Sequence, residues 1–381
     1  MQPDVVVVGA GIVGASCAYS LVQAGLSVVV IDRAGVAAGT TGAGEGNVLV
    51  SDKQPGPELD LSLRSSVLWR QHADSLGGET FEFEEKGGVV VADSVAEFDG
   101  LRELGTRQSG AGVHMQSLSA EEIHVVEPHL ASDVAGGAFY PQDIQVQPML
   151  AAARILRAAR DHGAELRLGD EVVGLRQSGG KVTGVTTSRG SLSAGWVVNA
   201  AGTWSRELSA RFGAELPVEP RRGFILVTEP LPRIVRHKVY SASYASSVAS
   251  DEAEVQIATV IEGTLSGPIL IGSSRERIGF DRHLSLPVVQ QMARAAVRFF
   301  PVLKTVRILR SYAGFRPFSP DHLPIIGLDD RVGGLVHACG HEGSGIGLAP
   351  ATGEMIAGLL TGVRGPIDAA PFSPNRFTEL A

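Results

Sequence analysis

The segment Asp4-Val-Val-Val-Val-Gly9 is a short β-branched run ending in glycine, the pattern of a buried strand. It continues through Gly9-Ala-Gly11-Ile12-Val13-Gly14 into a stretch with apolar Ile12, Ala15, Ala18, Leu21 and Val22 at helical spacing. Gly25 stops that helix, and Ser27-Val-Val-Val-Ile31 gives a second buried strand ending at Asp32. This is a βαβ unit with the glycine pattern of dinucleotide binding. Gly9 permits the tight turn, Gly11 lets the backbone approach a pyrophosphate, and Gly14 lets helix and strand pack closely. The helix N-terminus offers N–H groups and a positive dipole end to that pyrophosphate. Asp32 is placed to accept hydrogen bonds from a ribose 2′-OH. Cys17, on the same helix, reads as a small buried apolar residue.

A chain of 381 residues has room for two domains or two interleaved lobes. Its formal net charge of −8 argues against a nucleic-acid partner, which requires a basic surface. Cys17 and Cys339 stand at opposite ends of the chain, so neither a disulfide framework nor a metal site is expected. No apolar run reaches the length of a membrane span, and Met1 leads directly into a strand. A cytoplasmic protein is the default expectation.

The βαβ unit alone does not distinguish FAD from NAD. The stretch Gly39-Thr40-Thr41-Gly42-Ala43-Gly44-Glu45-Gly46-Asn47 suits a backbone lying along a pyrophosphate and then a flat ring, although a surface loop has the same composition. After a helix from Pro148 to His162, with apolar Met149, Leu150, Ala153 and Leu156 on one face, come Glu171–Leu175 and a hairpin-like stretch, Lys181–Thr187. A buried strand then ends in small residues, Asn199-Ala200-Ala201-Gly202-Thr203-Trp204. Near the C-terminus, strand Leu335–Ala338 leads through Gly340-His341-Glu342-Gly343-Ser344-Gly345-Ile346-Gly347 into an apolar helix, Ala351 to Leu360. A second glycine loop at a helix N-terminus suits the negative charge of a reduced flavin.

These segments together resemble the D-amino-acid oxidase family of flavoproteins, which includes glycine oxidase, sarcosine oxidase and D-amino-acid dehydrogenase. The resemblance rests on the N-terminal fingerprint, on Ala200-Ala-Gly202-Thr-Trp204, and on Gly345-Ile-Gly-Leu-Ala-Pro-Ala-Thr-Gly353. It implies an α/β fold: a Rossmann-like FAD-binding domain of the glutathione-reductase type with a discontinuous, mostly antiparallel substrate-binding domain. The implied divisions are residues 1–81, 145–212 and 325–381 for FAD, and 82–144 and 213–324 for substrate. FAD would lie extended, with Arg33 following Asp32 and with Val172 near the adenine. Thr40, Thr41, Gly46 and Asn47 would follow the pyrophosphate and flavin. Gly345 and Ile346 would flank the flavin pyrimidine, and Gly343 and Gly347 would also bind the cofactor. The run from Gly44 through Ser51 to Glu58, with Cys339-Gly-His-Glu-Gly343, is similar to the β subunits of opine oxidases and of hydroxyproline or proline dehydrogenases, and to cyanide-forming glycine dehydrogenase. That similarity admits partner subunits. The sarcosine-oxidase branch attaches flavin to a cysteine near the substrate arginine. Gly314 and Phe315 occupy that region here, so non-covalent FAD is expected.

The expected substrate is a small carboxylate-bearing amine. Its carboxylate needs a fixed cation, and arginine's planar fork binds both oxygens. Arg316, flanked by apolar residues in Tyr312-Ala-Gly-Phe-Arg316-Pro-Phe, is the candidate, and by resemblance it aligns with the carboxylate-binding arginine of glycine oxidase. The competing reading pairs it with an acid such as Asp321. Glu342 either recognises the substrate amine or, together with His341, orients their loop. Tyr240 and Tyr244 are pocket-wall candidates or ordinary core tyrosines. Glu45 is an unusual acid in a glycine-rich loop, with a solvated side chain as the plain alternative. The expected chemistry is hydride transfer from Cα–H to flavin N5, giving an imine. Electrons then pass either to another subunit or to oxygen; a non-catalytic FAD-holding subunit is the alternative from a different class.

Overall fold

The protein, described by a computed structural model over residues 2–244 and 254–380, is organised around two sheets. In the first, strand Val5–Val8 lies in parallel between Val28–Asp32 and Trp196–Asn199. Glu165–Leu168 and Leu335–Cys339 extend the parallel arrangement, and Ile325–Leu328 closes one edge antiparallel. Strands buried on both faces read as unbroken apolar runs, which is why the valine segments are legible in the sequence. The three-stranded antiparallel sheet Val172–Ser178, Lys181–Thr187 and Gly190–Ser193 packs beside it.

Helix Ile12–Gln23 packs against both Pro148–Asp161 and Gly345–Thr361, bringing the two ends of the chain together. The approach is close: a Cβ on Gly353 would stand 2.4 Å from the Ser16 carbonyl oxygen. Two helical expectations need correction. The Pro148–Asp161 helix turns Met149, Leu150 and Ala153 outward and buries Ala151, Ala152, Ile155, Leu156 and Ala159. An alanine-rich face fits the narrow gap beside the glycine-containing helix, where longer side chains do not. The C-terminal helix begins at Gly345 rather than Ala351, running through Pro350. Proline deprives the Ile346 carbonyl of its helical donor. Trp69, on helix Pro57–Leu76, repairs the loss: its Nε1 donates to Ile346 O at 3.2 Å and Gly347 O at 3.1 Å. Ser65 on the same helix accepts from the Ala351 amide at 3.3 Å.

The second sheet has eight strands drawn from two separated parts of the chain. Ile308–Phe318, Glu219–Thr228, Ile269–Arg275, Gln256–Gly263 and Lys238–Ser241 are successively antiparallel. Gly88–Ala92 joins Lys238–Ser241 in parallel, and Gly136–Tyr140 and Gln116–Leu118 complete the antiparallel order. Helix Leu286–Phe299 covers one face through Val288, Met292, Ala296 and Phe299. The opposite face supplies Gly223, Ile225, Gly314 and Arg316 to a cavity shared with the first sheet.

Candidate active site

A cavity of about 420 Å3 runs between the two sheets. Its first end is made largely by backbone. A Cβ at Gly9 would stand 2.4 Å from Ala200 O, and one at Gly14 would stand 2.0 Å from Gly9 O. Gly9 also has a φ of +118°, a conformation that side chains disfavour. Asp32 is fixed by two amides, with Ala10 N and Ala34 N each donating to its carboxylate at 2.8 Å. The Asp170 amide donates to Asp32 O at 3.0 Å, setting the Asp170–Val172 segment against the same corner. The Arg33 guanidinium lies 4.6 Å from the centre of the Trp204 ring, which stacks on Phe280. Thr41 caps the entry to the first helix by accepting from Ile12 N at 3.0 Å.

The middle is pinned by hydroxyls. Thr40 and Thr203 both donate to Phe315 O at 2.7 Å, holding the strand that carries Arg316 against the Thr40 loop and the Gly202–Trp204 turn. The two glycine loops lie together: a Cβ at Gly44 would contact Ile346, and one at Gly347 would stand 3.3 Å from Asn47 O. Lys53 ties the same run to the C-terminal loop, its Nζ donating to Ser344 Oγ at 2.8 Å while pairing with Asp52 and Glu58.

At the other end stand charged and polar side chains from distant segments. Arg316 donates from Nη1 to Ser274 O at 2.9 Å and forms no ion pair among the described residues. Asp321, its candidate partner, is instead bound by Arg376 at 2.6 Å. Burial, and then the nearby Arg275 charge, push the Arg316 guanidinium down to about 10, which leaves it protonated at neutral pH. Glu342 is committed to Arg221 at 2.5 Å and lies 3.3 Å from His322 Nδ1. Burial raises that carboxyl, but the His322 hydrogen bond and the Arg221 charge outweigh it and hold it ionised below the usual range. His341 Nε2 meets Thr352 Oγ1 at 2.9 Å, linking the loop to its helix, and burial pushes the imidazole down to about 3.

Most residues singled out in the sequence line this cavity; Gly14, Gly46, Gly347 and Tyr240 do not. Gly14 and Gly46 admit close backbone packing, a Cβ on Gly46 falling 1.8 Å from Val146 O. Tyr240 is buried behind the wall against Ser51, whereas Tyr244 faces the cavity with Arg275 4.7 Å from its ring centre. The solvated reading of Glu45 is wrong: it is 7% exposed and lines the cavity. Arg221 and Lys53 were not recognised in the sequence. Charged pairs beside apolar runs, Asp52-Lys53 after Val48–Val50 and Arg221-Arg222 before Phe224–Val227, are the signal that would have found them.

The match to the family model of FAD-dependent oxidoreductases (DAO) spans residues 4–359. The chain belongs to that family. It is 31% identical to hydrogen cyanide synthase subunit HcnC of Pseudomonas aeruginosa, over 98% of this chain and 96% of that protein. It is 30% identical to glycine oxidase of Geobacillus kaustophilus, over 98% and 97%. Among solved structures, L-proline dehydrogenase from P. horikoshii superposes with a TM-score of 0.91 at 26% identity, covering 99% and 98% of the two chains. The chain is an FAD-dependent amino-acid or amine oxidoreductase of the glycine oxidase type. The glycine cradle at Gly9 and Gly11, the anchored Asp32 and the elongated cavity fit FAD. The cofactor is held without a covalent bond. Cys339 touches the cavity, but burial pushes its thiol up to about 12, so it stays protonated. Among the described residues, no cluster suits a metal ion and no helix is long and apolar enough to cross a membrane.

Proposed function

We propose that the protein oxidises the C–N bond of a small amine bearing a carboxylate, and that Arg316 holds that carboxylate. The carrying observation is a protonated guanidinium at the cavity wall whose sequence-nearest acid is occupied by Arg376. A guanidinium engaged through Nη1 by the Ser274 carbonyl but by no carboxylate among the described residues, in a largely desolvated site, is suited to carboxylate binding. In this reading residues 1–81, 145–212 and 325–381 hold FAD, while 82–144 and 213–324 contribute the substrate wall. Asp32 anchors the adenosine ribose and Val172 flanks the adenine. Thr40, Thr41 and Asn47 follow the central part of the cofactor, and Gly343, Gly345 and Ile346 flank its flavin ring. His341 orients its loop through Thr352, and Glu342 positions Arg221. Tyr244 closes the substrate side.

FAD supplies the two-electron acceptor for a hydride leaving the substrate Cα. The protein orients the carbon, excludes water and balances the carboxylate charge. The product is an imine, which water converts to a carbonyl compound and an amine or ammonia. A cytoplasmic location, inferred from the sequence, belongs to the same proposal.

The test is anaerobic flavin bleaching by glycine, sarcosine, D-amino acids, both proline isomers and opines. Bleaching by a carboxylate-bearing amine supports the reading; failure by all of them supports a non-catalytic FAD-holding subunit. Readmitting air separates the two electron routes. Rapid reoxidation with peroxide identifies an oxidase. Slow reoxidation identifies a dehydrogenase served by a partner, as the name of the similar HcnC subunit suggests.

A further inference from the structure

Two glycines on the substrate-side sheet make room for two charges of opposite sign. A Cβ on Gly223 would lie 2.3 Å from Arg316 Nη1, and one on Gly272 would lie 2.3 Å from Glu45 Oε1. The Glu45 loop is held against the same sheet, since a Cβ on Gly314 would collide with Ala43 at 2.8 Å. The Glu45 side chain therefore extends toward the substrate sheet, and both it and Arg316 line the cavity.

Glu45 is built into the site without being neutralised there. Its Oε2 accepts from the Asn47 side-chain Nδ2 at 3.4 Å, and its buried Oε1 has no hydrogen-bond partner. The charged groups around it are Lys238, Glu262, Arg275 and Arg316, with the Tyr312 phenol also influenced by it. Lys238 is engaged at 2.5 Å by Glu262, which also accepts from Gly46 N at 3.0 Å. Burial raises the Glu45 carboxyl; Lys238 opposes that effect and Glu262 adds to it. An orphaned buried oxygen calls for a partner, because leaving one unpaired is costly.

Resting on the proposed amine oxidation at Arg316, we infer that Glu45 binds the protonated amine of the substrate and accepts its proton. Arg316 takes the carboxylate and Glu45 the ammonium, so the preferred substrate is a zwitterion with at least one N–H. One N–H bond breaks, an O–H bond forms on Glu45, and the electron pair stays on nitrogen. With FAD supplying the two-electron acceptor, that lone pair would form the C=N bond as the Cα–H bond breaks, giving an iminium ion that loses its remaining N–H proton to water to become the imine. The carboxyl releases its proton to solvent when the imine leaves. A base with a raised affinity for protons is suited to that role.

The test uses holoenzyme and the amine from the panel above that bleaches the flavin. Glu45→Gln keeps the side-chain shape but cannot accept the proton. At neutral pH the second-order rate of anaerobic flavin reduction should fall at least tenfold. It should then recover about tenfold per pH unit toward the amine's own pKa, because only free amine reacts. Acetate, followed by its perturbation of the flavin spectrum, should bind the variant within twofold of wild type. Glu45→Asp should restore part of the rate and move the acid limb back. Flavin content and the thermal midpoint check folding; if the glutamine variant fails to fold, the aspartate variant must still show a shifted acid limb. A wild-type rate and pH profile in both variants would overturn the assignment of Glu45 while leaving the role of Arg316 intact. Undiminished acetate binding in Arg316→Ala, or no bleaching by any amine, would instead overturn the underlying reading.

Discussion

The Asp32 end of the cavity is walled mostly by backbone, the Arg316 end mostly by side chains. The first end comes from one contiguous stretch, Val5 to Asp32, joined by Ala200 and Val172. Its precision comes from glycines whose missing Cβ atoms are filled by neighbouring carbonyls. The second end gathers Glu45, Tyr244, Arg316, His341 and Glu342 from separate loops and strands. Its glycines, Gly223 and Gly272, make space for the charged heads of Arg316 and Glu45 rather than for neighbouring carbonyls. A shared cofactor can be held by generic backbone geometry, whereas a particular substrate requires side chains that vary independently of the scaffold.

If the first end is structural as well as cofactor-binding, Gly14→Val should produce the largest effect. The added carbons have no space beside Gly9 O, so loss of soluble, flavin-loaded protein is expected, at a cost of roughly 3 kcal/mol or more. Normal yield and flavin content would break the contrast. At the second end, Arg316→Ala should leave FAD bound and raise the apparent substrate KM about 100-fold, close to 3 kcal/mol. An unchanged KM would remove the substrate role from that end.

A smaller effect is expected where the two ends are joined. Trp69→Phe removes the donor serving the Ile346 and Gly347 carbonyls. Stability should drop by about 1–3 kcal/mol, read as a lower thermal midpoint with flavin loss accompanying it. The smallest concerns His341, whose burial lowers its imidazole from 6.5 to about 3. Because the folded value lies below the unfolded one, its contribution is fully present above pH 6.5 and shrinks as pH falls toward 3. At pH 5.5 the loss is on the order of 1 kcal/mol. His341→Asn should flatten the decline in thermal midpoint between pH 7 and 5.5; an equally steep decline would place the acid sensitivity elsewhere.

The contrast between the ends also describes what the sequence made visible. Val5–Val8, Gly9, Gly11, Gly14 and Asp32 are close in the chain, so their spacing carries the geometry. Arg316 was visible as a charge in an apolar setting, but its freedom depended on Arg376, sixty residues away in the sequence, taking Asp321. Glu45 stood out as an unusual acid with solvation left open, because its burial comes from Gly272, Lys238 and Glu262, none of them nearby in the chain. The C-terminal helix was placed too late because Pro350 ends a helix by local rules, and only Trp69 and Ser65 from another helix override them.

Read alone, the sequence determined a dinucleotide fold, the family and the flavin. The dinucleotide unit rests on strand burial, turn geometry and a helix terminus, all properties of neighbouring residues, whereas the family and the flavin rest on resemblance across segments far apart in the chain. Tertiary structure decided which charges are free. Whether an arginine or glutamate meets a ligand depends on the partners that packing brings to it, and in this cavity packing occupies Asp321 and Glu342 while leaving Arg316 and Glu45 facing one shared space.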